Sequence, residues 1–159
     1  DALPATGGFS FLSWPGTRDR AAGVDATTVA AVLDAARRGC ELVVLDIGRD
    51  RAALRAFAGE CDRIFVVAPA RLRAAVATAW LLQELPPVET ALVVRASPGA
   101  AVDAPLIADA VGLALQGIMP EIKGLAGATE LGRLLEAGRQ RAVRRFAAGL
   151  LELDGGDDS

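Results

Sequence analysis

Asp46 stands where an apolar run ends: Leu42, Val43, Val44 and Leu45 lead directly into it, and Ile47, Gly48 and Arg49 follow. A carboxylate at the end of a buried strand is costly unless it meets a cation, water or a helix N-terminus. Phosphate-handling folds use that need, holding Mg²⁺ or its water shell on an Asp at the end of an apolar strand. Asp46 suits a structural role equally well, as a helix N-cap or as the ion-pair partner of Arg49 or Arg51. Other groups of polar or loop-forming residues follow apolar runs in the same way. They are Trp14-Pro15-Gly16-Thr17, Pro69-Ala70-Arg71, Arg95-Ala96-Ser97-Pro98-Gly99 and Pro120-Glu121. In an open parallel sheet, ligands collect outside the carboxyl ends of the strands, so these clusters are where a site would be built. Arg95 has a plain alternative as a solvated strand-end arginine. Trp14 and Trp80 both read as core or edge aromatics, and of the two only Trp14, beside Pro15 and Gly16, can face such a site.

Composition removes several chemistries. The 159 residues include 0 His and 0 Tyr, which excludes a Ser-His-Asp triad, a Cys-His pair, a His-ligated zinc and a tyrosine acid. Catalysis would have to use Asp, Glu, Arg, Ser, Thr or the backbone. Cys40 and Cys61 are too far apart for a C-x-x-C motif and read as plain reduced thiols in a cytoplasmic protein. The formal net charge is −3, and the basic residues are scattered until the last helical stretch, so nucleic acid is not an expected partner. All but Lys123 of the 17 basic residues are arginine, a skew that reads as genomic base composition. No apolar run approaches the roughly 20 residues of a membrane span, and DALPATGG lacks a signal pattern. The first residue is not Met, so a longer parent protein is an open expectation.

A chain of this length, 52% hydrophobic and 23% charged, is expected to form one globular domain over 1–153, with the acidic 154–159 as a frayed tail. Short apolar runs alternate with Ala/Leu/Arg stretches of helical period. This predicts an α/β three-layer sandwich, a mostly parallel sheet covered by helices on both faces. Strands are expected over 8–13, 42–47, 63–68, 90–95 and 115–119, and helices over 26–38, 51–59, 70–85, 104–111, 124–136 and 140–153. ELVVLDI and RIFVVAP read as strands buried on both faces. Asp25 is the expected N-cap of the first helix, Gly39 its stop, and Pro86-Pro87 the stop of the third. In the last helix Val143, Phe146, Ala147, Leu150 and Leu151 share one face and Arg141, Arg144 and Arg145 the other. Such a helix packs its apolar face on a sheet or lies on an anionic membrane.

Two phosphate-handling plans can be compared with this order. A receiver domain would need an acidic pair after its first strand, where this chain has Ser13-Trp14, and a lysine before proline, where Lys123 precedes Gly124. A standard P-loop is also absent from these residues: no G-x-x-x-x-G-K-[ST] occurs, and Lys123 sits in PEIKGL. The ordered set nevertheless resembles the MinD/ParA family of deviant P-loop ATPases, and most closely its CpaE-like branch. GGFSFLSWPG is similar to a strand ending in a small-residue loop, and TTVAAVLDAARRGCELVVLDIGR to the helix and strand leading into switch II. CDRIFVVAPARLRAAVATAWLLQEL is similar to the strand and helix that follow, and ETALVVRASPGA to the late strand on the adenine side. LIADAVGLALQGIMPEIKGLAGATELGRLL resembles the last strand, its loop and the helix beyond.

The resemblance implies that Asp46 is the switch II acid, catalytic and holding a Mg²⁺-bound water, and that Arg95 stands where an adenine-contacting Asn is common. Pro120 and Glu121 would lie beside the base. Switch II here lacks the usual proline, Arg replaces Asn at position 95, and the half bearing the Walker A loop is missing. The implied protein is therefore the C-terminal half of an ATPase domain or a degenerate relative, with ATP and Mg²⁺ as cofactors of the parent and neither held tightly by this chain alone. Implied partners are a homodimer mate or the remainder of the parent, and cell-division or pilus and secretion proteins. The last helix implies peripheral membrane contact, as in MinD. The parent's P-loop strand would lie between 42–46 and 63–68, so a strand inserted there by the rest of the parent or by a dimer mate is expected, with direct pairing of the two strands as the runner-up. Asp46, Arg95 and Pro120 should share one end of the sheet. Alternatives are a small metabolic α/β enzyme using Asp46 and an arginine on an anionic substrate, for which Glu121 is the one second acid near a strand end, or an interaction domain whose site has decayed.

Overall fold

The computed structural model describes residues 5–6, 9–12, 26–96 and 103–151. They belong to two compact units, Asp1–Gly48 and Arg49–Ser159. In the first unit β1 (Ala5–Thr6) pairs antiparallel with β2 (Phe9–Ser10). Of the expected 8–13 strand, Phe9 and Ser10 form β2 and join no parallel sheet among the described residues, with Gly8 and Ser13 outside the described residues. Helix α1 (Ala26–Gly39) buries Val29 and Leu33, one turn apart on one face. Arg37 and Arg38 occupy its last turn, where cations complement the helix dipole, and both approach Asp34 at 3.9 Å. Trp14 and Asp25 lie outside the described residues.

The expected strand at 42–47 is not formed. This segment has no strand pairing among the described residues, and Leu42 and Val44 are 56% and 81% exposed. An apolar run makes a strand suitable for burial, but only a neighbouring ladder makes it a strand.

The second unit opens with α2 (Arg51–Phe57), capped by Asp50, whose carboxylate accepts the Ala52 and Ala53 N–H groups at 3.0 Å. It continues as β3 (Arg63–Pro69), α3 (Leu72–Leu82), β4 (Glu89–Arg95), α4 (Ala104–Val111), β5 (Leu115–Met119), α5 (Leu125–Glu130), α6 (Leu134–Gly138) and α7 (Arg141–Leu151). The sheet runs β3-β4-β5 and is parallel throughout. Ala91, Leu92, Val93 and Val94 are all buried, as expected of a central strand with a layer on each face. RIFVVAP does not have that pattern: Val66 and Ala68 are buried, but Val67 is 57% exposed.

One face of the sheet, carrying Val66, Ala68, Leu92 and Val94, packs against Ala75 of α3 and Ile107 and Ala108 of α4. Helix α4 matches its expected bounds because both ends are signalled. Asp103 accepts the Ala104 N–H at 2.8 Å, Pro105 sits in the first turn, and Gly112 takes a left-handed φ of 71° just past the end. The expected 124–136 helix is split into α5 and α6 because Gly132, at φ 67°, turns the chain between them.

Helix α7 covers the other face at β5. Gly117, the register partner of Val93, lies so close to it that a Cβ there would stand 3.1 Å from Phe146 Cε2. Gly117→Val should therefore destabilise the unit by about 1–3 kcal/mol through overpacking, read as a lower urea midpoint. An unchanged midpoint would show that α7 does not pack there.

Candidate functional site

The carboxyl ends of the three parallel strands bring two of the expected site positions together. Pro69 pairs with Arg95, and Arg95 with Met119. The ladder continues one step further, with Ala70 N–H donating to Arg95 O at 3.2 Å and Ala96 N–H to Met119 O at 3.0 Å. Arg95 and the Pro120-Glu121 loop thus leave neighbouring strands at the same end of the sheet. Arg95 is exposed and has no ion-pair partner among the described residues, so its guanidinium is available to an anion. Pro120 is half-buried and Glu121 exposed. The loop is tied down on its far side, where the Gln140 side-chain amide donates to Lys123 O at 2.9 Å.

Asp46 belongs to the other unit and is exposed. Neither structural role foreseen for it is filled. The cap of α2 is Asp50, and Arg51 pairs with Glu84 at 3.2 Å, so Asp46 has no hydrogen-bond or ion-pair partner among the described residues. A single carboxylate does not make a magnesium site, and no group of three or more potential metal ligands occurs among the described residues. With no P-loop sequence in the 159 residues, the groups present do not by themselves fit ATP-Mg²⁺. Ser97, Pro98 and Gly99 lie outside the described residues. Neither Cys40 nor Cys61 forms a disulfide, and the Cys61 thiol donates to Phe57 O at 3.5 Å.

Helix α7 turns Val143, Phe146 and Leu150 toward partial burial, with Phe146 against Gly117, which is the sheet-packing alternative for its apolar face. Its arginines meet an unforeseen fourth. Arg139, Arg141, Arg144 and Arg145 line an open hollow of about 590 Å³. Arg139 was missed because it precedes the helix and falls outside its 3.6-residue period. A count would have found it, since 131–151 holds five arginines and one acid, Glu136. Trp80, expected in the core or at an edge, is 66% exposed, in a row with Leu72 and Val76 along α3.

No family model matches the chain. It is 37% identical over 150 residues to the uncharacterized proteins MT3760 and Rv3660c of two Mycobacterium tuberculosis strains, CDC 1551 / Oshkosh and ATCC 25618 / H37Rv. Those matches cover 92% of this chain but 41% of the relatives, so the chain spans about two fifths of their length. Among solved structures, a ParA family ATPase from Chlorobium tepidum TLS superposes with a TM-score of 0.75 at 13% identity, covering 93% of this chain and 65% of that one. The fold is of the ParA/MinD type. The MinD cell division protein of Aquifex aeolicus gives 0.66 at 15% identity, covering 86% and 63%. Identities this low carry the fold alone. No helix among the described residues is long and apolar enough to cross a membrane.

Proposed function

We propose that these residues are part of a larger ParA/MinD-type ATPase domain, of the CpaE-like branch, and act as a regulatory or scaffolding module in placing a division septum or a pilus or secretion apparatus. The observation that carries this is the open side of β3. The strand is in register with β4 over all seven residues, yet no ladder joins its other edge among the described residues. A parallel strand rich in apolar residues is normally an interior strand, and an open edge of this kind invites another chain to pair with it. A β-α unit supplied by the rest of a longer protein would satisfy that edge and cover Val67. The length of the relatives leaves room for one.

In this reading ATP and Mg²⁺ bind the assembled domain. Asp46 is the residue that would hold a metal-bound water, and Arg95, Pro120 and Glu121 are those that would contact the base. A homodimer mate and proteins of the division or secretion machinery are the partners, and the protein works in the cytoplasm or at the inner face of the membrane. Calorimetry tests it. The 159 residues alone should give no measurable heat with ATP-Mg²⁺, because a P-loop supplies most of the phosphate-directed N–H groups and the lysine. The longer protein should bind with a Kd of the order of micromolar, weakened about tenfold by Arg95→Ala. Micromolar binding by the 159 residues alone overturns the proposal.

The exposed row Leu72, Val76 and Trp80 favours a second reading, an interaction domain whose nucleotide site has decayed. A longer protein that binds no nucleotide but retains its partners selects that reading.

A further inference from the structure

The α6–α7 turn and the first turns of α7 carry four arginines that line one open hollow. None of Arg139, Arg141, Arg144 and Arg145 has an ion-pair partner among the described residues, and Glu136, the one acid within 131–151, is engaged by Arg133 at 2.9 Å. Like charges this close repel, and an arriving anion relieves the repulsion. Apolar surface borders them. Leu134 and Leu135 are 50% and 43% exposed, and Leu135 stands four residues before Arg139, whose backbone continues the helical turn, so the two share a face.

We propose that this corner docks an acidic, leucine-containing polypeptide segment of a protein partner. Carboxylates match the planar fork of arginine in bidentate pairs, and aliphatic side chains of such a segment match Leu134 and Leu135. A nucleic-acid duplex fits less well, because the patch spans little more than one helical turn on a chain of net charge −3. An anionic membrane fits less well because α7 packs Phe146 against Gly117 and leaves Leu151 as its one exposed large apolar side chain among the described residues. This inference is independent of nucleotide binding.

Fluorescence anisotropy tests it with three probes on the full chain: a labelled 16-residue peptide of Asp, Glu and Leu, a 20-base-pair DNA duplex, and vesicles containing phosphatidylserine. The peptide should bind best, and Arg141→Glu with Arg145→Glu should weaken it at least tenfold. Arg141→Gln with Arg145→Gln should weaken it less, and Leu134→Ala with Leu135→Ala should weaken the peptide by a few-fold. These residues are exposed, so thermal unfolding should be unchanged. Tighter binding of duplex or vesicles than of peptide, or a peptide affinity indifferent to the charge reversal, overturns the proposal.

Discussion

Leu92→Ala is expected to lower the unfolding free energy of the Arg49–Ser159 unit by about 3–4 kcal/mol. Leu92 is 0% exposed at the middle of the central strand, in the cluster that joins Val66 and Val94 to Ile107 and Ala108 across the sheet–helix interface. Removing three carbons there forfeits their transfer energy and leaves a cavity. Strands on either side and α4 above cannot collapse into it without breaking the ladder. Backbone constraints add to this, because Leu92 N–H donates to Ala114 O at 2.8 Å and the register shifts immediately after it, from Leu92–Leu115 to Val93–Gly117. Against a total of about 5–15 kcal/mol, such a loss is a large fraction. Urea unfolding followed by circular dichroism should show a lower midpoint at unchanged slope. Leu72→Ala is the control. That side chain is 69% exposed, and its loss should stay within about 0.5 kcal/mol. Equal losses for the two variants would mean that the core does not lie where Leu92 sits.

The same contrast explains which parts of the molecule were legible in the sequence. ETALVVR could be read because every residue from Ala91 to Val94 is buried, so a continuous apolar run and a central strand coincide. Helix α4 could be read to the residue because Asp103, Pro105 and Gly112 mark its ends by local chemistry that needs no tertiary partner. The segment 42–47 has an equally strong apolar run, yet strand formation depends on a neighbour that no local pattern encodes. Gly132 falls inside the expected 124–136 helix and instead takes a left-handed turn. The juxtaposition of Arg95 with Pro120 followed from a topological rule, that successive parallel strands end at one side of the sheet. The placement of Asp46 depended on 42–47 being a strand of that sheet, and so was lost with it. Arg139 needed the α6–α7 turn to bring it beside the helix.

The open edge of β3 makes the second large effect measurable. In a parallel ladder, alternate residues direct their N–H and C=O groups to one neighbour, so about half of the β3 amides face away from β4. With no strand beyond them among the described residues, these amides should exchange with deuterium almost as fast as those of an unstructured peptide when the 159 residues are studied alone. Amides of β4, flanked on both sides, should be slow in the same sample. In the longer protein, a strand laid along β3 would give those outward N–H groups acceptors. Burial of the edge adds to the protection, since an unsatisfied buried N–H costs about 1–3 kcal/mol. Protection should then rise by about 100-fold or more, equivalent to about 2.7 kcal/mol. Concentration separates the two sources of such a strand. A segment of the same polypeptide protects β3 independently of concentration, whereas a dimer mate protects it only as the protein is concentrated past the dissociation constant. Slow β3 exchange in the isolated chain at every concentration would mean that the edge is already satisfied, and fast exchange in the longer protein would mean that nothing is inserted. Either result removes the argument for a missing strand, and with it the assignment of these residues to part of a larger ATPase domain.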